Sequence, residues 1–410
     1  MAIVKPFRAV RPARDKAHLV VSKAVVSYPK RILNVILEAN PFTFLHVMLP
    51  EHGKKEKKTR PNSIARFIKT KEKYKTWLEL EYLEQDEKKC FYIYQQIKNK
   101  KTFTGIIAAT AVTDYYNNVI KKHENTITSR EHMFKDYLKT CDFNAEPVLL
   151  TYPDNNNINL VMDKYLAERP EYDFTTNDTI RHKLWIIDND YDIQSLEYNF
   201  QQIDALYIAD GHHRSASSAL LAQETNDLKS ENNPSNYFMS YIISDSQLDI
   251  LDYNRLIKDI NGLSLETFIK NIKSNFIVTK KGTEYRSEGE HRIGMYMDGI
   301  WYELIPKPET FDKNHPVSNL DTEILFQNLL KPILNIEDLK TTKRVDFIGG
   351  HLGLNHLKEL VDKEKGKVAF ALPPVSTQQL IEIADKNYIM PPKSTWIEPK
   401  MRCGLTIYKL

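Results

Sequence analysis

The chain lacks most of the features that would place it in a class at first sight. Its three cysteines, Cys90, Cys141 and Cys403, show no Cys-x-x-Cys spacing, and no secretory leader precedes them, so free thiols in a reducing cytosol are expected. No apolar run approaches the roughly 20 residues of a membrane-spanning helix. The expectation is a soluble, cytoplasmic protein with no membrane partner. An excess of charge is missing too: 57 Lys and Arg stand against 54 Asp and Glu, a net of +3, which gives no global pull toward nucleic acid. There is no internal repeat and no low-complexity tract. What is present is length and apolar content: 410 residues, 41% hydrophobic and 10% aromatic, are enough for two or three domains with buried cores.

Against that background one stretch stands out. Ala205-Leu206-Tyr207-Ile208-Ala209 is an extended apolar run, Asp210-Gly211-His212-His213-Arg214-Ser215 breaks it, and Ala216 to Ala222 follows with small helix-forming residues. The pattern reads as strand, tight turn, helix N-terminus. The first N–H groups of a helix lack internal partners and lie at the positive end of its dipole, so such a turn is a ready anion site. Gly211 lets the backbone come close, and His212, His213 and Arg214 add donors. Asp210 adds a carboxylate able to hold a metal ion or to take a proton from a hydroxyl. A polar surface turn is the plainer alternative, but it requires far fewer such groups around one glycine.

Two further polar clusters carry weaker signals. Lys121-Lys122-His123-Glu124-Asn125-Thr126 precedes a helix expected over 130–140, with Thr128 or Ser129 as its cap. His123, Glu124, Thr126 and Arg130 carry groups that recur where phosphoryl groups are moved. A charged loop before a capped helix accounts for them equally well. In Met390-Pro391-Pro392-Lys393-Ser394-Thr395 two prolines stiffen a loop that presents an ammonium and two hydroxyls, with Lys400 farther on. The plain reading there is a proline-fixed strand edge. Arg8 and Arg11, three residues apart on the first strand, should point to opposite faces.

The remaining pattern is strands alternating with helices. Strands are expected near Ile3 to Pro12, Phe42 to Val47, Pro147 to Tyr152, His182 to Ile187 and Tyr237 to Ile243, with Leu248 to Arg255 continuing the same sheet. Phe91 to Gln96 and Phe103 to Thr110 read as a hairpin around Lys98 to Lys101. Ile64, Phe67, Ile68, Tyr74, Trp77, Leu78 and Tyr82 fall at helical spacing, and Ile193 to Ile203 reads as a helix. Glu51 to Lys58 reads as an exposed, lysine-rich connector. Beyond Ser264, helices are expected over Leu265 to Phe276, Asp321 to Leu330 and His351 to Lys363, with a hairpin over Asp298-Gly299. The fold class is α+β, a mixed α/β body, divided into 1–263 as the catalytic core, 264–370 as a smaller second α+β domain and 371–410 as a C-terminal segment returning to the site.

Five segments together, Pro6 to Pro12, Asn40 to Val47, His123 to Thr126, Ala209 to Arg214 and Met390 to Thr395, closely resemble the family catalogued as domain of unknown function 1015, in order and spacing along essentially the whole chain. Ser27-Tyr28-Pro29-Lys30 departs from that family's Pro-Tyr-Asp turn by lacking the aspartate. The Asp-Gly-His-His-Arg motif is itself similar to the phosphate-binding turn of the ParB/sulfiredoxin-like group, which includes free-serine kinases.

That resemblance implies a ParB/sulfiredoxin-like nucleotide-binding core in which Gly211, His212, His213, Arg214 and Ser215 hold the phosphates of ATP or ADP. Sulfiredoxin chemistry needs a cysteine in the turn, where this chain has histidine. A DNA clamp needs a recognition helix and a basic face, which are not evident. The reading that follows is a magnesium- and nucleotide-dependent phosphotransferase acting on a small hydroxyl compound such as free serine. Glu124, Asp210 and His213 would be catalytic, with Asp210 and Glu124 as metal ligands. Arg8, Arg11, His123, Thr126, Arg130, Lys393 and Ser394 would bind substrate, and a homodimer is the expected assembly. A nucleotide or phospho-metabolite sensor without turnover and a phosphate-ester hydrolase are the alternatives; two carboxylates beside a phosphate turn favour an enzyme over a sensor.

Overall fold

The hairpin read from Phe91 to Thr110 is the centre of the first sheet. In the computed structural model, which describes residues 1–53, 58–225, 228, 230, 232–287 and 289–410, the hairpin strands are β2 (Phe91–Lys98) and β3 (Lys101–Ala111), paired from Lys98 opposite Lys101. Residues 54–57, the middle of the lysine-rich connector, lie outside the described residues. Around the hairpin assemble β1 (Val4–Lys5), β4 (Ile120–Lys121), β5 (Val148–Tyr152), β6 (Tyr172–Thr175), β7 (Arg181–Ile187), β8 (Leu206–Asp210) and β9 (Tyr237–Ser244). Their order is β4-β8-β5-β9-β3-β2-β7-β6, with β1 on β3. Parallel and antiparallel pairs are mixed: β4 runs parallel to β8 and β5 to β9, while β5 and β8 are antiparallel.

The helices of the first unit bury apolar stripes in two clusters, one of them on this sheet. In α1 (Ile64–Glu79), capped by the Ser63 hydroxyl on the Arg66 N–H, Phe67, Tyr74 and Trp77 face inward. Ile64 and Ile68 stay near half exposed. With Phe44, Leu83 and Phe143 the inward rings form one apolar cluster. A second contains Ile93, Ile106, Leu150, Leu206, Ile208 and Ile242 from the strands, Ile158 and Met162 from α3 (Asn156–Leu166), Leu196 and Phe200 from α4 (Asp190–Gln201), and Ala219 and Ala222 from α5 (His212–Glu224). At about 25 cal/mol per Å² of apolar surface removed from water, such clusters are the main drive for the fold. The α2 helix (Thr128–Cys141) forms as expected, but its N-cap is Ile127 and no side chain caps it. The Thr126 hydroxyl donates to the Glu131 carboxylate instead.

The chain makes two compact units, Met1–Leu248 with Pro399–Leu410, and Asp249–Glu398. The second is built on a sheet of β10 (Tyr253–Ile257), β11 (Phe276–Lys281), β12 (Ile293–Met297), β13 (Ile300–Pro306), β14 (Val345–Gly349) and β15 (Val368–Ala371), in the order β11-β13-β12-β15-β10-β14. The helices α6 (Leu265–Ile272), α7 (Gly353–Asp362) and α8 (Thr377–Asp385) complete it. Several local expectations need correction. Asp249–Leu251 pairs with Trp396–Glu398, and β10 pairs with β14 and β15, so Leu248 to Arg255 does not continue the first sheet. Residues 42–47 are not a strand: an Asx turn, the Asn40 side-chain oxygen accepting from the Phe42 N–H, leads into the helical turn Leu45–Met48. Phe276 opens β11 instead of ending a helix.

Candidate functional site

The strand-turn-helix reading of residues 205–222 matches the structure: β8 ends at Asp210, Gly211 turns with φ of 107°, and α5 starts at His212 with no side-chain cap. A Cβ at Gly211 would sit 3.2 Å from the Arg214 guanidinium, so both the backbone angle and the space favour glycine. Sheet topology then brings the second polar cluster to this turn. Because β4 is parallel to β8, with Ile120 opposite Leu206 and Lys121 opposite Tyr207, the residues after Lys121 leave the sheet at the edge where Asp210 ends its strand. His123 consequently packs edge-on against His212, ring centroids 4.5 Å apart, and the Glu124 carboxylate lies 3.8 Å from His212 Nδ1.

The electrostatics of the pair follow from burial. His123 and His212 are 2% and 6% exposed, and among the described residues His123 Nδ1 and His212 Nε2 have no hydrogen-bond partner. Burial, offset in part by Asp210, pushes His123 down to about 4. Burial first, then the neighbouring His123, His213 and Lys122, holds His212 well below the ordinary histidine range. Both imidazoles are neutral at neutral pH. Beside them the Glu124 and Asp210 side chains are 44% and 39% exposed, so two neutral rings with unsatisfied ring nitrogens adjoin two water-accessible carboxylates.

Arg214 is placed differently from a free phosphate clamp. Its Nη1 donates to the Glu146 and Pro147 carbonyls and lies 3.2 Å from the Glu146 carboxylate, while Nη2 lies 3.3 Å from Asp210 Oδ2. Its own carbonyl accepts from the Ser217 and Ser218 hydroxyls at 3.0 and 2.9 Å. Arg214 thus ties the turn to the residues that lead into β5. Ser215 is fully buried, its Oγ donating to the Gly211 carbonyl at 3.3 Å, and His213 follows His212 on the first turn of α5. Two supports of the site were absent from the expected set. Glu146 anchors Arg214, and Lys400, seen in the sequence only as a distant ammonium, reaches within 3.8 Å of Asp210 Oδ1. The proline-bounded segment around Lys400 was its only signal; Glu146 gave none.

Other expected substrate residues are engaged elsewhere. Arg8 and Arg11 do not point apart: the chain is not one continuous strand there, and both reach Asp86. Arg8 Nε donates to its carbonyl at 2.8 Å. Arg11 grips its carboxylate with Nε and Nη2 at 2.9 and 2.6 Å and donates to the Tyr172 hydroxyl at 2.7 Å. The half-buried Arg11 is therefore a structural bracket. Thr126 bonds Glu131, and Arg130 is exposed on the first turn of α2. Lys393 and Ser394 belong to the second unit. The Lys393 carbonyl accepts from the buried Arg255 at 3.0 Å, and the Ser394 hydroxyl donates to the Pro391 carbonyl at 2.8 Å and meets the Thr322 hydroxyl at 3.1 Å. The expected magnesium ligands Asp210 and Glu124 both lie beside the turn, Glu124 near His212 and Asp210 near Arg214. Asp210 already faces two cationic side chains, and among the described residues no three His, Cys, Asp or Glu side chains come together as a ligand set.

Among solved structures, the free serine kinase in complex with AMP is 11% identical, with a TM-score of 0.35 over 70% of this chain and 88% of that one. SbnI with C-terminal truncation from Staphylococcus aureus is 13% identical, with a TM-score of 0.39 over 73% of this chain and 85% of that one. A conserved hypothetical protein from Pyrococcus furiosus is 13% identical, with a TM-score of 0.36 over 75% and 98%. These scores are too low to place the chain in those proteins' fold. No curated protein matches the chain, and no helix among the described residues is long and apolar enough to cross a membrane. The family model described as "Protein of unknown function (DUF1015)" matches residues 4–323. With that match spanning most of its length, the chain belongs to the DUF1015 family.

Proposed function

We propose that the turn at Gly211 binds the phosphates of ATP or ADP and that the protein transfers a phosphoryl group to a small hydroxyl compound, free serine being the first to test. The observation that carries this reading is the pair of buried, neutral imidazoles His123 and His212, each with an unpartnered ring nitrogen, at the uncapped start of α5 beside Glu124. A buried polar nitrogen left unmatched costs free energy. A ligand with phosphoryl and hydroxyl oxygens supplies the missing partners, and the helix N-terminus favours its negative charge. The similarity of Asp210 to Arg214 to the turn of the ParB/sulfiredoxin-like group, which includes free-serine kinases, supports a nucleotide-binding core and this class of reaction.

In this reading the acceptor hydroxyl oxygen attacks the terminal phosphorus, the bond to the bridging oxygen of the nucleotide breaks, and the hydroxyl proton passes to Glu124. The first-turn N–H groups with His212 and His213 hold the phosphates, Lys400 neutralises charge beside Asp210, and Arg214 keeps the turn in shape. Catalysis of this kind rests mostly on positioning and charge stabilisation, and no step is assigned to a metal ion. The test is calorimetric titration with ATP and ADP, followed by phosphorus NMR of the mixture with serine added. Binding together with a new phosphomonoester signal is the expected result. Binding without turnover would leave a nucleotide sensor, and no nucleotide binding would sink both.

A further inference from the structure

A second concave site lies elsewhere on the first unit, in a cavity of about 450 Å³ that shares no lining residue with the Gly211 turn. That volume is within the range of small-molecule pockets, roughly 300–1,000 Å³. Four cationic side chains line it: Lys5 on β1, Arg8, Lys89 just before β2, and Lys409 near the end of the chain. Against them stand Glu197, already paired with Lys5 at 3.1 Å, and Leu410. Lys89 and Lys409 are exposed and have no carboxylate within ion-pair distance among the described residues, and the only acceptor for the Arg8 side chain there is a main-chain carbonyl. Three cations therefore share one hollow with no carboxylate within ion-pair distance of them among the described residues. Like charges in a concave wall raise the local potential and draw in anions.

Three aromatic rings form part of the wall. Phe7, Tyr237 and Tyr408 line the same cavity, Phe7 and Tyr408 edge-on at 5.3 Å and both largely buried. These rings are held in place: the Tyr408 hydroxyl donates to the Pro234 carbonyl at 2.9 Å, and the Phe7 main chain pairs with Cys90. Fixed aromatic rings next to exposed lysines suit a ligand with a flat ring at one end and a multiply charged group at the other.

We infer that this cavity is a second ligand site, one that takes a small aromatic phosphate. It does not depend on the phosphotransferase reading, because the residues are separate. The test is calorimetric titration of the full chain at low salt with phenyl phosphate and with inorganic phosphate, repeated on the double variant Lys89→Glu/Lys409→Glu and on Gly211→Ala. Both lysines are exposed, so the double variant should fold. The expected result is that phenyl phosphate binds at least roughly tenfold more tightly than inorganic phosphate, and that the double variant loses about tenfold or more, as for charge-assisted hydrogen bonds. Gly211→Ala should leave this binding unchanged. Absence of saturable binding, or binding that the double variant retains, would overturn the site. Equal affinity for the two probes would overturn the role of the aromatic wall, and loss in Gly211→Ala alone would move the binding to the turn.

Discussion

The chain contains two Asp-Gly turns that look alike in sequence and serve different ends. At Asp298-Gly299 both residues are left-handed, with φ of 51° and 76°, and close a hairpin from Met297 to Ile300. A Cβ on Gly299 would meet nothing within 4 Å. At Asp210-Gly211 only the glycine is left-handed, it opens a 13-residue helix, and a Cβ there would press on Arg214. The glycine gives each turn its backbone angle. What separates them is what the rest of the chain delivers: His123 and Glu124 by parallel pairing of β4 with β8, Glu146 by the start of β5, and Lys400 by the returning C-terminal segment. A turn becomes a site through its neighbours in space.

The sharpest way to separate the two turns is to remove the proposed base. Glu124→Gln should lower phosphoryl transfer on the order of 100-fold or more while nucleotide binding stays within a few-fold, and Asp298→Asn should leave both unchanged. Equal loss of binding and turnover in Glu124→Gln would show that Glu124 is not acting as a base. Next come the glycines. Gly211→Ala and Gly299→Ala each force an L residue into left-handed backbone and should each cost roughly 1 to 2 kcal/mol in denaturant unfolding. Only Gly211→Ala should also weaken nucleotide binding, because its Cβ would crowd the Arg214 guanidinium at 3.2 Å. Parallel binding in the two variants would erase the distinction.

A third effect depends on pH. His123, held down to about 4, and His212, held lower than an ordinary histidine, stay neutral when folded but titrate near 6.5 when unfolded. The unfolded chain then binds more protons below pH 6.5, so their contribution is full above 6.5 and is lost as pH falls toward 4. Buried His182, pushed down to about 3, adds to this with the same sign. Asp114, raised to about 6 by burial, opposes it with one proton. Between pH 6.5 and about 4.5, where the glutamates begin to titrate, stability should fall with acid. His123→Gln should reduce that slope by about 1.4 kcal/mol per pH unit, whereas Asp298→Asn should not change it. An unchanged slope in His123→Gln would mean that the ring is not a buried neutral imidazole.

Features that rest on local pattern were the ones legible in the sequence. The run Leu206 to Ala209, the glycine and the small residues after it sufficed to place strand, turn and helix, and the alternation around Lys98 to Lys101 sufficed for the hairpin. Features that rest on pairing between distant segments were not. Leu248 to Arg255 has a strand's composition, but nothing in it says that Asp249 to Leu251 pairs with Trp396 to Glu398 and that β10 joins a different sheet. Thr128 and Ser129 have capping side chains, yet Thr128 is already the first helical residue and the N-cap is Ile127. Arg11 reads as a substrate arginine as well as a structural one until Asp86 and Tyr172 are seen around it. The composition of the site was largely legible, and the supports that hold it, Glu146 and the approach of Lys400, were hidden in long-range topology.

The smallest effect should come from Lys400, the last element that distinguishes the two turns. Its ammonium lies 3.8 Å from Asp210 Oδ1, with both side chains about 40% exposed, whereas Asp298 makes no ion pair among the described residues. An ion pair so open to water contributes little to stability, so Lys400→Met should leave the unfolding midpoint unchanged. If the ammonium faces the phosphates in the bound state, its loss should weaken ATP binding by roughly threefold to tenfold, more at low salt than at high salt. If it serves only to hold Asp210, binding should not change and the salt dependence should match that of the parent protein. The salt titration therefore separates a ligand contact from a structural one where Lys400 of the C-terminal segment meets the turn.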